Sequence, residues 1–266
     1  MLRVAVAGLG AIGRVVAHRL ADGIPGLALT AVAARDPRTA RAWLDHAGIA
    51  CPVLPLDRLP EASDLVVECA PAAVLGEVCR PMLAAGKRVM VLSASALLRH
   101  DDLISLAQAH GGQIIVPTGA LIGFDAVTAA AEGVIHSVRM VTTKPPAGFA
   151  GAPYLIDNGM SLDGLVVARC IFAGSARAAA AAFPANVNVV AALALAGIGP
   201  DRTRIEIWAD PTITRNCHRI EVTSDAASFT MAIENVPSEN PRTGRITAQS
   251  VIAALRKLTA PLRVGT

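Results

Sequence analysis

"LRVAVAGLGAIGRVVAHRLAD", residues 2–22, runs from a short apolar stretch through three glycines into a segment with helical spacing. Arg3 to Ala7 reads as a buried strand, and the residues from about Ala11 onward as an amphipathic helix. Between them, Gly8, Gly10 and Gly13 match G-x-G-x-x-G. The three glycines differ in what they allow. Gly8 permits the tight turn, Gly10 lets the backbone approach a pyrophosphate, and Gly13 lets helix and strand pack closely. The free N–H groups of the helix start, at Ala11, Ile12 and Gly13, then favour an anion. The motif alone is weak, and a glycine-rich turn without a ligand is the bland alternative. The strand–turn–helix context is what gives it weight.

The alternation continues outward from this unit. "LALTAVAA" reads as the second strand, "DPRTARAWLDHAG" as a helix and "SDLVVECA" as a buried strand. A helix over "AAVLGEVCRPMLAAG", a strand in "KRVMVLS", a helix over "DDLISLAQAHG" and a strand "GQIIVP" follow. Repeated βα units imply an α/β fold with a doubly wound parallel sheet. A ligand is expected across its C-terminal strand ends, near Gly8–Gly13, Ala70–Pro71 and Ser93–Ala94. A dinucleotide site specific for NAD usually ends its second strand in Asp or Glu, whereas "VAARDP" offers Ala34, Arg35 and a late Asp36. Arg35 suits a 2′-phosphate or simply the surface, so NAD and NADP both stay open.

After Pro117 the rhythm stops. "PTGALIGFDAVTAAAEG" reads as a turn opening a helix, "HSVRMVTTKPP" as a strand and "LVVARCIFAGS" as another. Two alanine-rich helices come next, then "RIEIWAD", "CHRIEVTS" and "ASFTMAIEN" as three antiparallel strands. The expected organisation is a Rossmann-type dinucleotide-binding domain over residues 1–118 and an α+β domain with a mostly antiparallel sheet over 119–245. The helix at about 246–260, apolar at Val251, Ala254, Leu255 and Leu258, is expected to pack back on the first domain, and the two domains to share a cleft.

Composition removes several functions. Among 266 residues, 24 are basic and 21 acidic, scattered without a basic block, which argues against a nucleic-acid partner. Five cysteines, odd in number and without C-x-x-C, suit reduced thiols and a cytoplasmic setting. The apolar start is a strand and not a signal peptide. The most membrane-like stretch, residues 176–199, is interrupted by Pro184, Asn186 and Asn188, so no membrane span is expected.

For chemistry, the single tyrosine, Tyr154, has Asn158 where a Tyr-x-x-x-Lys pair needs lysine. No Glu-Lys-Pro follows the later strands, no Cys/His cluster exists, and Cys217 and His218 project to opposite faces, so no metal is expected. His18, His46, His100 and His110 read as solvated positions. His218 differs: in "NCHRIEV" it alternates with Asn216, Ile220 and Val222, an apolar strand face. A lone histidine there is usually a satisfied core residue.

Its company changes the reading. "PTGALIGFDA" (117–126), "TKPP" (143–146), "FPANVNVVAALALAG" (183–197), "ADPTITRNCHRI" (209–220) and "IENVPSENPRTG" (233–244) occur in this order. With the N-terminal fingerprint, and over nearly the whole chain, they resemble the L-aspartate dehydrogenase family. The resemblance implies oxidative deamination of L-aspartate to iminoaspartate with NAD or NADP, reversible as reductive amination of oxaloacetate with ammonia, in a homodimer. It also implies a catalytic His218 and cofactor contacts at Asn188 and at Ile122, which replaces the family's alanine in the "GALIG" turn. Asn186 is the simpler helix cap. Neutral imidazole with a pKa near 7 would take the substrate ammonium proton, with the nicotinamide across the cleft. The two substrate carboxylates need donors: Lys144 first, then N–H groups about Gly119 and Ala120. Asn240 and Thr243 read as a loop or a cleft rim. Two other readings share much of this pattern: a two-domain reductase of the dihydrodipicolinate-reductase or homoserine-dehydrogenase kind, and a non-catalytic dinucleotide sensor.

Overall fold

The computed structural model describes residues 1–184, 187–237 and 244–265. They form two compact units: Met1–Pro117 with Ala248–Arg263 in one, and the rest in the other.

The first unit alternates strands and helices: β1 (Leu2–Ala7), α1 (Ala11–Ala21), β2 (Leu27–Ala33), α2 (Pro37–His46), α3 (Leu59–Ala62), β3 (Leu65–Glu68), α4 (Leu75–Ala84), β4 (Arg88–Val91), α5 (Ala94–Leu97), α6 (Asp101–His110) and β5 (Gln113–Ile115). Its sheet runs β2-β1-β3-β4-β5 with every neighbour parallel. Helices cover both faces, so the strand centres are apolar runs and do not alternate. Val4 and Val6 enter one core with Val16, Leu20 and Leu44. Ala5 and Ala7 enter the other, with Val66, Leu75, Met82 and Leu103. The late helix α11 (Ile246–Thr259) supplies Val251 and Leu255 to the first of these cores.

The second unit holds α7 (Phe124–Ala131), β6 (Ile135–Lys144), α8 (Pro153–Asp157), β7 (Arg169–Ser175), α9 (Ala176–Ala182), α10 (Asn188–Ala196), β8 (Arg204–Ala209), β9 (Asn216–Ser224) and β10 (Ser228–Asn235). Its sheet order is β10-β9-β6-β8-β7. β9 pairs antiparallel with both β6 and β10, and β7 pairs antiparallel with β8. The expectation of three sequence-adjacent antiparallel strands is corrected here. β8 lies on the far side of β6 and runs parallel to it. A parallel neighbour needs a long crossover, and the chain through β7, α9 and α10 provides one. Alternate residues of β6 and β9 are buried, Val138, Met140, Thr142 and Lys144 facing the same side as Asn216, His218, Ile220 and Val222. The opposite face carries Arg139, bonded to both Glu206 and Glu221.

Candidate active site

Three glycines shape the turn after β1 in different ways. Gly8 has φ +100°, and a side-chain carbon there would lie 2.6 Å from the Cys69 carbonyl oxygen. One on Gly13 would lie 1.9 Å from the Gly8 carbonyl oxygen. Gly10, by contrast, would meet nothing within 4 Å. Packing therefore requires two of the glycines, while the third leaves open backbone at the N-cap of α1. That helix has no side-chain cap and no acid in its first turn. Among the described residues nothing accepts from its N–H groups at Ala11, Ile12 and Gly13, which suits a phosphate, so these residues fit a dinucleotide. α2 is the contrast, capped by Asp36 accepting from Arg38 N at 3.0 Å and Thr39 N at 3.3 Å.

That cap explains the late acid. Thr39 also donates its hydroxyl to Asp36 at 2.6 Å, and these Thr39 bonds hold the carboxyl below its usual range. The end of β2 thus presents the exposed Arg35, whose guanidinium has no hydrogen bond or ion pair among the described residues. Ala70 is half-buried against Gly8, and Pro71, exposed, starts a single 3-10 turn.

In the second unit, β6 and β9 set Thr142 opposite His218. Thr142 Oγ1 lies 3.2 Å from His218 Nδ1, and both residues are buried. Lys144, next along the same face, is only 3% exposed, with Nζ 5.9 Å from the centre of the Phe149 ring. It is no solvated strand-end lysine. Burial lowers its pKa to about 8. Burial and then the Lys144 charge lower that of His218 to about 3, which corrects the sequence-based value near 7. Both shifts have the sign expected for cationic acids taken out of water.

Asn216 and Asn235 continue the polar patch as a cross-strand pair, both buried. Asn235 Nδ2 donates to the Ala120 carbonyl at 3.0 Å, while its buried Oδ1 has no partner among the described residues. This bond ties the turn holding Gly119, Ala120 and Ile122 to the end of the sheet that carries His218 and Lys144. Gly119 and Gly123 both take positive φ in that turn, and a side chain on Gly123 would strike Met231. Asn188 is half-buried as the first residue of α10. Asn186, Asn240 and Thr243 lie outside the described residues. His18, His46 and His110 are exposed, and His100 is half-buried at the start of α6. Cys217 pairs with Thr143 on the face opposite His218.

Sequence reasoning did not single out Thr142 or Asn235. The alternation of β6 carries a signal for Thr142, two residues before Lys144; Asn235 has none, because its partner lies 115 residues away.

Two family models match successive parts of the chain. Residues 125–258 match the model described as aspartate dehydrogenase, C-terminal, and residues 8–117 match that of the homoserine dehydrogenase NAD binding domain. An L-aspartate dehydrogenase 3 of Bordetella bronchiseptica is 58% identical over 100% of this chain and 98% of its own. An L-aspartate dehydrogenase of Bradyrhizobium diazoefficiens is 57% identical over 100% of this chain and 94% of its own. The crystal structure of an aspartate dehydrogenase from Thermotoga maritima shares the fold, with a TM-score of 0.73 over 100% of both chains at 22% identity.

Proposed function

The chain belongs to the aspartate dehydrogenase family, oxidoreductases of CH–NH2 groups, and on that premise we propose that it converts L-aspartate to iminoaspartate and so to oxaloacetate and ammonia. The observation that carries this reading is the buried His218–Thr142–Lys144 cluster, which joins a proton acceptor to a cation on one apolar face. A hydride can leave Cα only after the α-ammonium has lost a proton, because its lone pair must form the C=N bond. His218 takes that proton at Nε2. For this, Nδ1–H donates to Thr142 Oγ1, which fixes the tautomer and ring orientation. Lys144 holds one substrate carboxylate, and N–H groups of the Gly119–Ala120 turn receive the other. NAD or NADP, held by Gly8, Gly10, Ala11, Ile12 and Gly13 with Arg35, Ala70 and Pro71 nearby, supplies the hydride acceptor; Ile122 and Asn188 complete the proposed contacts.

The low pKa of His218 keeps it neutral at physiological pH, the state a base needs, but makes it weakly basic. A carboxylate paired with Lys144 offsets the repulsion that contributes to that depression. The imidazole therefore gains basicity when a dicarboxylate binds. Turnover is expected with L-aspartate and either dinucleotide, and at least about 10²-fold less kcat/KM with alanine or homoserine, since a lost charged contact costs about 2–5 kcal/mol. Glutamate, which keeps both carboxylates but spaces them one methylene further apart, should also be poorer. Equal activity on alanine in a spectrophotometric assay would refute a role for the second carboxylate.

NADP is expected to bind measurably. Arg35→Ala should weaken NADP by about tenfold and NAD by less than twofold, the scale of one exposed charge–phosphate contact. Equal losses in titration calorimetry would remove Arg35 from phosphate recognition. The same reading includes a homodimer, for which the sheet face carrying the half-buried Val141 and Trp208 is a candidate, and a cytoplasmic setting, which the free cysteines suit. Among the described residues no helix is long and apolar enough to cross a membrane.

A further inference from the structure

Glu68 is the last residue of β3 and is completely buried, an acid in an otherwise apolar strand. Its carboxylate is fully engaged by the chain leaving the next strand. Oε2 accepts from Leu92 N at 3.1 Å and Ser93 N at 2.9 Å, and Oε1 accepts from Ser93 Oγ at 3.1 Å. The backbone of Ala70 adds a further bond. On its other side Glu68 faces Ala7, the residue before Gly8. The segment just after Glu68, Cys69 and Ala70, lies against Gly8. One side chain thus ties together the turns that leave β3 and β4.

These turns border the point where a dinucleotide belongs. The order β2-β1-β3-β4-β5 reverses direction between β1 and β3, and ligands of such sheets lie outside the C-terminal strand ends at that reversal. By the same rule the adenosine ribose would be read at the end of β2 and the pyrophosphate would sit at the start of α1, so the remaining half would run over β3 and β4. The Glu68 carboxylate beneath those strand ends decides where the Leu92–Ser93 turn stands.

We propose that Glu68 is a positioning residue for the nicotinamide half of the cofactor, holding the Leu92–Ser93 turn to the end of β3 through its bonds to Leu92 N, Ser93 N and Ser93 Oγ. The inference rests on the dinucleotide-binding part of the proposed function and is independent of the substrate.

Two substitutions separate shape from charge. Glu68→Gln keeps the reach: its carbonyl oxygen accepts from Leu92 N and Ser93 N and its amide donates to Ser93 Oγ, whose hydroxyl can rotate, which leaves only the Ala70 bond in question. Glu68→Asp keeps the carboxyl group but shortens the side chain by about 1.5 Å, one carbon–carbon bond. Binding of NADH and of ADP-ribose, which lacks the nicotinamide, is measured by calorimetry for each folded variant, beside kcat with aspartate. Glu68→Asp should bind ADP-ribose within twofold of wild type, weaken NADH by about tenfold and lower kcat. Glu68→Gln should restore NADH binding to within threefold. Equal weakening of both ligands in Glu68→Asp, no change in either, or a Glu68→Gln variant as impaired as Glu68→Asp would each overturn the proposal. Wild-type protein that binds NADH without oxidising aspartate would refute the substrate reading and leave the Glu68 comparison intact.

Discussion

The His218→Ala variant is expected to lose about 10²-fold or more in kcat while binding NADH with unchanged affinity. The loss follows from the chemistry of the substrate: with its ammonium intact, the nitrogen has no lone pair to push toward C=N, and hydride cannot leave. In the proposed reading the cofactor's phosphates are held at Gly8–Gly13, residues of the first compact unit, so its affinity should not depend on His218. A competing account treats His218 as core. It is 4% exposed and shares its face with Ile220 and Val222, so truncation also leaves a cavity and strands the Thr142 hydroxyl. Stability must therefore be measured beside turnover, and here pH provides a second handle. Unfolded, the imidazole titrates near its ordinary 6.5; folded, it resists protonation down to about 3. Its folded pKa is depressed, so its contribution is present above about pH 6.5 and is lost as pH falls toward 3. The slope approaches about 1.4 kcal/mol per pH unit in that window. His218→Ala should flatten that part of the denaturation profile. A folded variant with undiminished turnover would end the catalytic assignment, and activity that falls only in proportion to folded protein would favour the core role.

How much of the fold and site is legible in the sequence depends on the range of the interactions involved. The first unit reads well because each βα step is local: apolar runs, glycines and helical spacing lie within a few residues of one another. The turn glycines even separate by environment, since Gly8 and Gly13 are closed by packing and Gly10 is open. β8 is misplaced by sequence reasoning because neighbouring strands in sequence usually pair, and nothing within "RIEIWAD" records that β6 is its partner. Asp36 illustrates a subtler limit. As a residue type it qualifies for ribose recognition, yet its bonds to Arg38 and Thr39 make it the cap of α2. The environment of His218 is the least visible feature. Its strand face can be read from alternation, but its pKa is lowered by burial first and then by a cation that comes from β6 through the Thr142–His218 register. Glu68 is visible as an acid in an apolar strand, while its bonded turn lies 24 to 25 residues further on.

Replacing Lys144 with Met should lower kcat/KM for aspartate by about 10²-fold, mostly through KM, because truncating one side of a buried charged pair costs about 2–5 kcal/mol. Methionine keeps most of the apolar stem but loses the ammonium that lies over Phe149, so stability is measured beside kinetics. The variant also separates two opposing effects. Without the Lys144 charge the imidazole becomes more basic in the free protein, though burial still holds it below 6.5. That gain alone would favour proton abstraction, whereas loss of the carboxylate anchor opposes it. The measured outcome decides which dominates, and the two carboxylates of the substrate put the anchor first. The pH profile supplies the sign. Lys144 is charged below about pH 8 and neutral above it, so wild-type kcat/KM should decline as pH rises through about 8. In Lys144→Met that alkaline decline should vanish, since no titrating cation remains at this position. The histidine resonance should shift as well: in wild-type protein, adding oxaloacetate raises the His218 pKa, while in Lys144→Met it does not. Unchanged KM together with an unchanged alkaline limb would remove Lys144 from the substrate site. A variant whose KM rises while the limb persists would assign carboxylate binding to Lys144 and the titration to another group.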